Sequence, residues 1–395
     1  MALARLSALR AQIAPITAIT LFGIALAMSY PLFALMLERA GTSGAAIGLN
    51  AMAAALGMVT AAPLMPTMLR RAGMGRSMIG AALALGAMFL MIPLIEDYWL
   101  LTGLRLAYGF AATILFFASE FWIVAAAPEA SRGRIIAVYA LCVSGGFALG
   151  PALLKLTGLT GSLPFVAACA VMLAGLIPIS WGLATAPATD DGETASPLAA
   201  LAMFVAAPTV VFGVTLFGTI EFGAMALVAV WGVRSGLAEA DAALLLSVFA
   251  LGSMALQMPL GWAADRFDRR ALLIGIAACC IVAPLGMVLT APSFPALAAF
   301  SAFWGATSVG LYSIALTEMG ARYKGNRLAV ANAAVVLAYG FGALAAPLTF
   351  GAAMDALPPD GLLVGAAAVA AAYLTLALGR ALWLRRRAGM RREMP

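Results

Sequence analysis

Long apolar runs, each about the length of a membrane-crossing helix, constrain this chain more than any other feature. Hydrophobic residues make up 64% of its 395 residues and charged residues only 10%. Soluble domains usually carry about 25% charged residues, so a water-soluble fold of this size could not bury so much apolar surface. A transmembrane helix needs ~20 predominantly apolar residues. The sequence therefore predicts an all-α membrane protein.

The apolar runs predict twelve transmembrane helices separated by short polar turns. We place them at 13–37, 45–69, 77–95, 99–126, 135–157, 164–185, 201–232, 242–264, 271–291, 294–318, 328–351 and 361–384. The seventh run is overlong, and we expect it to start with an interfacial turn before Pro208. The longest polar stretch divides the chain into halves. We predict an N-terminal six-helix bundle at 1–185, a cytoplasmic linker at 186–199 and a C-terminal six-helix bundle with a basic cytoplasmic tail at 200–395.

Basic residues predict the topology. If the N-terminus is cytoplasmic, the external segments contain only three of the 23 Lys and Arg residues: Arg39, Lys155 and Arg234. Arg105 and Arg380 lie within spans, and the others lie in the cytoplasmic segments. Cytoplasmic loops are enriched in Lys and Arg, so we expect both termini in the cytoplasm. The net charge of +6 then reflects topology and contact with lipid headgroups, and we expect no nucleic-acid partner.

The two halves repeat in sequence with an offset of 195 residues. Matches in register join Thr20–Gly23 to Thr215–Gly218, Arg39–Gly41 to Arg234–Gly236, and Leu56–Gly57 to Leu251–Gly252. Six spans repeated in one orientation predict two pseudo-symmetric bundles related by an axis along the membrane normal. In such folds the binding site lies between the bundles, near the bilayer midplane.

The turn between the eighth and ninth spans is densely charged. It begins at Gly261, whose lack of a side chain allows a neighbouring helix to approach. Asp265, Arg266, Arg269 and Arg270 follow within a stretch of six residues, 265–270. We predict that these residues form a cytoplasmic gate. The carboxylate of Asp265 would meet the positive N-terminal end of the fifth span when the protein is closed on the inside.

Three residues outside this turn complete the predicted gate. Arg132 and Arg134 lie at the start of the fifth span, beside the helix end that Asp265 would meet. Glu318, at the inner end of the tenth span, is expected to hold Arg266 or Arg269 within its own half.

Two further stretches join this turn in resembling a known family. The turn is similar to G-x-x-x-D-R-x-x-R-R of the major facilitator superfamily, and Leu101, Arg105, Gly109 and Ala112 are similar to L-x-x-x-R-x-x-x-G-x-x-A in its fourth span. Gly146–Pro151 resembles part of an exporter signature, G-x-x-x-G-P. The resemblance implies secondary transport, and it associates the span-four arginine with proton coupling.

Three segments resemble the YcaD-like branch of this superfamily. They are Ser119–Ile123, Ser131–Ile135 and Gln257–Trp262. The branch has no assigned substrate, so this resemblance implies the fold and leaves the cargo open.

Charged residues inside predicted spans are functional candidates, because each costs about 2.5–3.5 kcal/mol at a helix centre. Arg105, Glu120 and Glu221 are in this position. Arg105 could tune a carboxylate, or it could be a structural tie to backbone carbonyls or to Tyr108. Glu120 shares a helical stripe with Arg105, ~22 Å away along the axis, and its aromatic neighbours favour the protonated acid. Glu221 corresponds to uncharged Leu26 in the repeat, so symmetry does not require its charge.

Polar residues on inward-facing spans predict the substrate cavity. We expect it to be lined by Asn50, Glu120, Trp122, Glu221, Gln257, Tyr312, Asn332 and Tyr339. The chain contains no histidine, so proton coupling would fall to Glu120, the first choice, or to Glu221.

These patterns favour a proton-coupled secondary transporter of a small organic molecule in the bacterial inner membrane, with export slightly preferred. Proton-linked import of a sugar or small metabolite is one alternative. A non-transporting membrane assembly factor, or a lipid or pigment delivery factor, is another. An enzyme is disfavoured because the chain lacks histidine and a nucleotide-binding loop, and the cysteines lack metal-ligand spacing. We expect no cofactor and no metal, protons and membrane lipids as partners, and a monomer.

Overall fold

The computed structural model describes residues 2–129, 132–187, 197–324 and 326–392, and within these ranges the regular structure is helical. The helices before the predicted linker are α1 Ala2–Arg39, α2 Gly44–Ala61, α3 Met65–Ala72, α4 Met74–Met91, α5 Tyr98–Ala126, α6 Arg132–Thr157, α7 Leu163–Ala174 and α8 Leu176–Gly182. The helices after it are α9 Pro197–Ala206, α10 Pro208–Arg234, α11 Glu239–Arg266, α12 Arg269–Thr290, α13 Phe294–Arg322, α14 Asn326–Ala356 and α15 Gly361–Arg392.

Twelve stretches of the described chain are long and apolar enough to cross a membrane, as the sequence predicts. α2 continues through a short 3-10 turn into α3 as one span, and α7 and α8 form another. The expected break before Pro208 is confirmed, because α9 ends at Ala206 and α10 starts with the proline. Proline fits the first helical turn, where its missing N–H has no partner to lose. Residues 188–196 of the predicted linker lie outside the described residues, so the division into 1–185, 186–199 and 200–395 stays a prediction.

The sequence repeat corresponds to repeated helix packing. A Cβ atom on Gly57 of α2 would overlap the Leu106 carbonyl of α5, and one on Gly252 of α11 would overlap the Ala302 carbonyl of α13. These glycines are a matched pair of the 195-residue repeat. Small residues at such positions allow helix backbones to approach closely in a membrane. The repeat therefore preserves the same helix crossing in each half.

A second repeated crossing joins α6 to α1 and α14 to α10. Gly146 leaves room for the Thr20 carbonyl, and Gly342 leaves room for the Thr215 carbonyl. Gly150, the second glycine of the exporter-like signature, packs in the same way against Ile24 of α1. The glycines of that signature thus have a packing role in this structure.

The two halves meet along six helices, with α2 against α14, α6 against α11 and α1 against α10. α2 and α14 approach closely at the start of α2, where a Cβ on Gly44 would overlap the Gly351 carbonyl of α14. One helical turn along, a Cβ on Gly48 would meet the Pro347 carbonyl. These contacts lie toward the face that the charge pattern assigns to the outside, which we call the outer face.

Charged side chains cross between the halves at this outer face. Arg234 donates to both oxygens of Glu38 at 2.8 Å, with only about a fifth of either side chain exposed. Its repeat mate Arg39 pairs with Glu239 through a 2.7 Å Nε–Oε1 contact and also donates to the Leu159 carbonyl at 2.8 Å. Each half therefore lends one arginine to a carboxylate of the other half.

Asp355 connects the end of α14 to the start of α2. Its two oxygens accept the backbone N–H groups of Gly44 and Ala45 at 2.7 and 2.8 Å, and Arg234 lies 3.7 Å from it. An anion at a helix N-terminus is stabilised by the unpaired N–H groups and the helix dipole. Together with the arginine pairs, Asp355 closes the outer face.

We predict that Arg234→Ala opens the outer face more than Lys155→Ala. Lys155 pairs with Asp241 at 2.8 Å, but both side chains are more than a third exposed. An exposed ion pair contributes about 0–1 kcal/mol to stability. The Arg234–Glu38 pair is bidentate and largely buried, so it should contribute more. The measurement is labelling of Ala51→Cys, in a background without native cysteines, by a membrane-impermeant maleimide. We expect labelling to be about tenfold faster in Arg234→Ala than in Lys155→Ala, which corresponds to a difference of about 1.4 kcal/mol in the free energy of opening. Equal labelling in the two variants would contradict this ranking.

Candidate functional site

A cavity lies between the halves, below the closed outer face, and consists of two adjoining chambers. The smaller one, about 300 Å³, is here called the aromatic chamber, and the larger one, about 490 Å³, the open chamber. Both volumes fall in or near the range of about 300–1,000 Å³ that is usual for small-molecule sites. The chambers share part of their wall, formed by Phe116, Val143, Ser144, Glu221 and Tyr339.

Glu221 lies in the shared wall and is therefore at the centre of the cavity. The Tyr339 hydroxyl donates a hydrogen bond to its Oε2 at 2.6 Å. The two residues meet because α10 and α14 pack closely, with Gly218 leaving room for the Tyr339 carbonyl. A short hydrogen bond to a carboxylate is a strong one. This bond fixes the position of the Glu221 carboxylate within the cavity.

Aromatic rings surround this carboxylate. Tyr339 lies 5.9 Å from the ring of Phe217, 5.8 Å from that of Phe222 and 6.2 Å from that of Tyr312, measured between centroids. Across the cavity, Phe116 and Phe147 are 5.9 Å apart. These separations are in the range at which aromatic rings interact favourably. The cavity wall is thus an interlocked set of rings around one hydrogen-bonded acid.

Glu120 lines the open chamber from α5. Its side chain is exposed, and none of the described residues forms an ion pair or hydrogen bond with it. Val336, on the facing wall, is 66% exposed. Both residues lie toward the ends of their helices opposite the outer face. The open chamber therefore reaches solvent on the side that the charge pattern assigns to the cytoplasm.

Arg105 is buried outside both chambers. It is 2% exposed, and its guanidinium lies 4.1 Å from the Phe33 ring, 5.2 Å from the Tyr108 ring and 5.5 Å from the Tyr30 ring. Its Nη1 is 3.4 Å from the Ser29 hydroxyl, and no described carboxylate pairs with it. Aromatic faces stabilise a desolvated cation. Of the two interpretations of Arg105, this geometry matches the tie to Tyr108, and a part in proton coupling stays a prediction.

The structure brings together half of the predicted cavity residues. Glu120, Glu221, Tyr312 and Tyr339 line the chambers, whereas Asn50, Trp122, Gln257 and Asn332 do not.

Two of these four residues are misplaced by the sequence analysis. Trp122 is fully buried within the N-terminal half, against the backbone near Gly182. It is two residues from Glu120, about 200° around the helix, and so points away from the cavity. Asn50 is buried toward the outer face, where its amide donates to the Thr102 hydroxyl at 3.1 Å.

The other two, Gln257 and Asn332, lie on the same helix faces as cavity residues but one turn closer to the open side. Gln257 is exposed one helical turn beyond Ser253, which lines the aromatic chamber. Asn332 is exposed one turn before Val336, which lines the open chamber. Residues four apart share a helix face. Both amides therefore lie on the correct faces, but where the halves have separated.

Aromatic residues are what the sequence analysis missed. Phe147, Phe217 and Phe222 line the cavity without appearing among the predicted residues. Phe222 and Phe217 flank Glu221 within one helical turn, and this spacing is the signal that could have identified them.

The predicted gate lies at the end of the molecule opposite the outer face, near Arg266, Arg269 and Arg270, which we call the basic end. Glu318 accepts from Arg269 at 3.2 Å, one of the two pairings expected, while the Arg266 guanidinium lies 4.2 Å from the Trp262 ring. Asp268, not Asp265, caps the next helix, by accepting from the Ala271 N–H at 2.8 Å.

The remaining gate residues with described side chains form no ion pair or hydrogen bond to the other half. Asp265, Arg270 and Arg134 are exposed, and the side chain of Arg132 lies outside the described residues. A Cβ atom on Gly261 would meet no heavy atom within 4 Å. The ion pairs that Arg39, Lys155 and Arg234 form between the halves are at the outer face. The gate function of the basic end stays a prediction.

Comparisons with known proteins identify the family of the chain. The sequence matches the Major Facilitator Superfamily over residues 16–242 and 210–393. It is 28% identical over 265 residues to the uncharacterized MFS-type transporter YfkF of Bacillus subtilis, covering 65% of this chain and 67% of the relative. It is 24% identical over 316 residues to the uncharacterized MFS-type transporter YcaD of Escherichia fergusonii, covering 80% and 81%.

Solved structures show the same fold. A mutant of the nucleoside transporter NupG superposes with a TM-score of 0.77 at 11% identity, covering 94% of this chain and 99% of that one. A bacterial homologue of the human lysosomal transporter Spinster, inward-facing and unoccupied, superposes with a TM-score of 0.71 at 16% identity, covering 94% and 95%. With twelve spans and a family match along nearly its whole length, the chain is a secondary transporter that belongs to the major facilitator superfamily.

Proposed function

We propose that this transporter couples protons to the movement of a small organic molecule across the bacterial inner membrane by alternating access, with export favoured over uptake. The observation that carries the proposal is Glu221, held by Tyr339 in a cavity between the halves. An acid inside a membrane span is costly and is retained where it binds an ion, a proton or a substrate.

Glu221 is the better candidate for the proton carrier, although the sequence favours Glu120. Glu221 lines both chambers and accepts the Tyr339 hydroxyl, whereas Glu120 is exposed in the open chamber. The charged carboxylate accepts from Tyr339, and the protonated one is neutral and easier to enclose. If a substrate needs the charged form, substrate and proton exclude each other. Exchange then follows from competition at one carboxylate.

The structure corresponds best to an inward-facing state. The outer face is closed by Arg39, Arg234 and Asp355, and the open chamber reaches solvent on the basic side. The similar Spinster homologue is also inward-facing. Both termini would lie in the cytoplasm, and the bundles at 1–185 and 200–395 would rock about the cavity. Because one chain contains the whole cavity, we propose a monomer.

Export is slightly favoured by the aromatic lining of the cavity, which suits apolar organic compounds better than hydrophilic nutrients. Access from the basic side does not decide direction, because an importer also passes through an inward-facing state. The Gly146–Gly150 signature adds no support, because both glycines pack α6 against α1. Direction is therefore decided by flux measurements in oriented proteoliposomes.

We predict that Glu221→Gln uncouples transport from protons. A compound selected by thermal shift would be accumulated by wild-type proteoliposomes only when a pH gradient is imposed. The amide cannot exchange a proton, so gradient-driven accumulation should fall about tenfold or more, the equivalent of about 1.4 kcal/mol. Counterflow of substrate against substrate requires no net proton movement, so it should continue at saturating substrate, which offsets the weaker binding expected of the neutral amide.

The matched control is Glu96→Gln, which changes an exposed acid in the turn before α5. It should behave like the wild type in both assays. Full gradient-driven accumulation in Glu221→Gln would refute the assignment of the proton to Glu221. Wild-type flux that ignores the pH gradient would refute proton coupling altogether.

We predict that Gly261→Leu and Asp265→Asn both stabilise the inward-facing state. Gly261 has free space in this structure, so a leucine should be accommodated here and should clash only when the basic end closes. Asp265 has no described partner here and would meet the α6 N-terminus only in the closed arrangement. Both variants should slow maleimide labelling of Ala51→Cys from the outside, and should speed labelling of a cysteine at Asn332.

Gly275→Leu is the control, because a Cβ at Gly275 on α12 also meets nothing within 4 Å and α12 packs within its own half. It should leave both labelling rates at the wild-type value. If Gly261→Leu gives the same result as Gly275→Leu, closure of the basic end does not involve Gly261.

A further inference from the structure

The cavity carries negative charge without a compensating cation. Glu221 and Glu120 line it, and no Lys or Arg is among its described lining residues. Arg105, the buried cation of α5, is separated from the aromatic chamber by the ring of Tyr30, which lines that chamber and lies 5.5 Å from the guanidinium. An anionic ligand would therefore meet two carboxylates and no partner. A cation would neutralise them.

The wall adds a second attraction for positive charge. Nine of its described lining residues are aromatic: Tyr30, Phe116, Tyr139, Phe147, Phe217, Phe222, Phe249, Tyr312 and Tyr339. The face of an aromatic ring is negative, and it attracts a cation within about 6 Å, most strongly when the cation is desolvated. The same rings offer apolar contact to uncharged parts of a ligand.

Part of the hydrogen-bonding capacity of this wall is already used. The Tyr339 hydroxyl is engaged by Glu221, and the Tyr139 hydroxyl by Ser119. The Ser253 hydroxyl lies 2.9 Å from the Gly305 carbonyl and 3.2 Å from that of Phe249, so it is engaged as well. The hydroxyls of Tyr30, Ser144 and Tyr312 and the two carboxylates remain to meet a ligand. A polyhydroxylated molecule would exchange many hydrogen bonds to water for these few groups, so the wall favours a less polar ligand over a sugar.

From these three observations we propose that the substrate is a lipophilic organic cation, with its positive charge against Glu221 and Glu120 and its apolar groups among the phenylalanine rings. The proposal rests on the proposed transport function and names the substrate class of the same cavity. It also explains the exchange, because a proton and a cationic substrate would each neutralise Glu221.

The test uses three probes of similar shape and different charge: tetraphenylphosphonium, tetraphenylborate and the neutral triphenylphosphine oxide. Binding to the purified protein in detergent is measured by equilibrium dialysis. The phosphonium should bind at least about tenfold more tightly than the other two, the equivalent of about 1.4 kcal/mol. Partition into micelles cancels when variants are compared at equal detergent.

Glu221→Gln should remove most of the preference for the phosphonium, and Glu120→Gln should weaken it. Neither should change the affinity for the neutral oxide. Glu221→Asp keeps the charge and should retain the preference, and Glu96→Gln should bind all three probes as the wild type does. Thermal unfolding of each variant verifies that it is folded.

Tighter or equal binding of the borate or the oxide by the folded wild type would overturn the proposal, as would the absence of phosphonium binding. The outcome is separable from that of the proton-coupling assay. Cation binding without gradient-driven flux would retain the substrate class and refute the coupling. Gradient-driven flux of a neutral or anionic compound, without phosphonium binding, would retain the proton coupling and refute the substrate class.

Discussion

The cost of placing a charge inside a bilayer governs this structure. Arg105, Glu120 and Glu221 lie well inside the described spans, and each is accommodated in a different way. Arg105 is enclosed by aromatic rings, Glu221 accepts a tyrosine hydroxyl, and Glu120 reaches the water of the open chamber. The stronger ion pairs between the halves are at the outer face, near water. The helical core is therefore mostly apolar, and the buried cation within it, Arg105, is enclosed by aromatic rings of its own half.

The two halves share their packing and differ in their chemistry. The crossings at Gly57 and Gly252 keep the same geometry in each half. The arginines at 39 and 234 are also repeat mates, and each reaches across to the other half. Glu221, in contrast, has Leu26 as its counterpart. Symmetry thus builds the scaffold and the outer closure, and the departure from symmetry places the acid.

The fold could be predicted from the sequence because apolar runs and basic turns follow directly from the bilayer. The pairing of Glu318 with Arg269 was within reach for a similar reason, since few partners exist at the end of a span. The cavity was harder to predict. Trp122 failed because polarity was weighted above helical phase, and Gln257 because the separation of the halves depends on the conformational state. The tyrosine partner of Glu221 depends on a crossing of α10 and α14 that no local pattern encodes.

The location of the outer closure has a consequence for the environment of the cell. Charge pairs at an aqueous surface are screened by salt, with a Debye length of about 8 Å at 0.15 M ionic strength and about 3 Å at 1 M. The charge pattern predicts that the pairs of Arg39, Lys155 and Arg234 face the external medium, whose ionic strength a bacterium does not control. With that orientation, a brackish medium would weaken the outer closure and favour the outward-facing half of the alternating cycle.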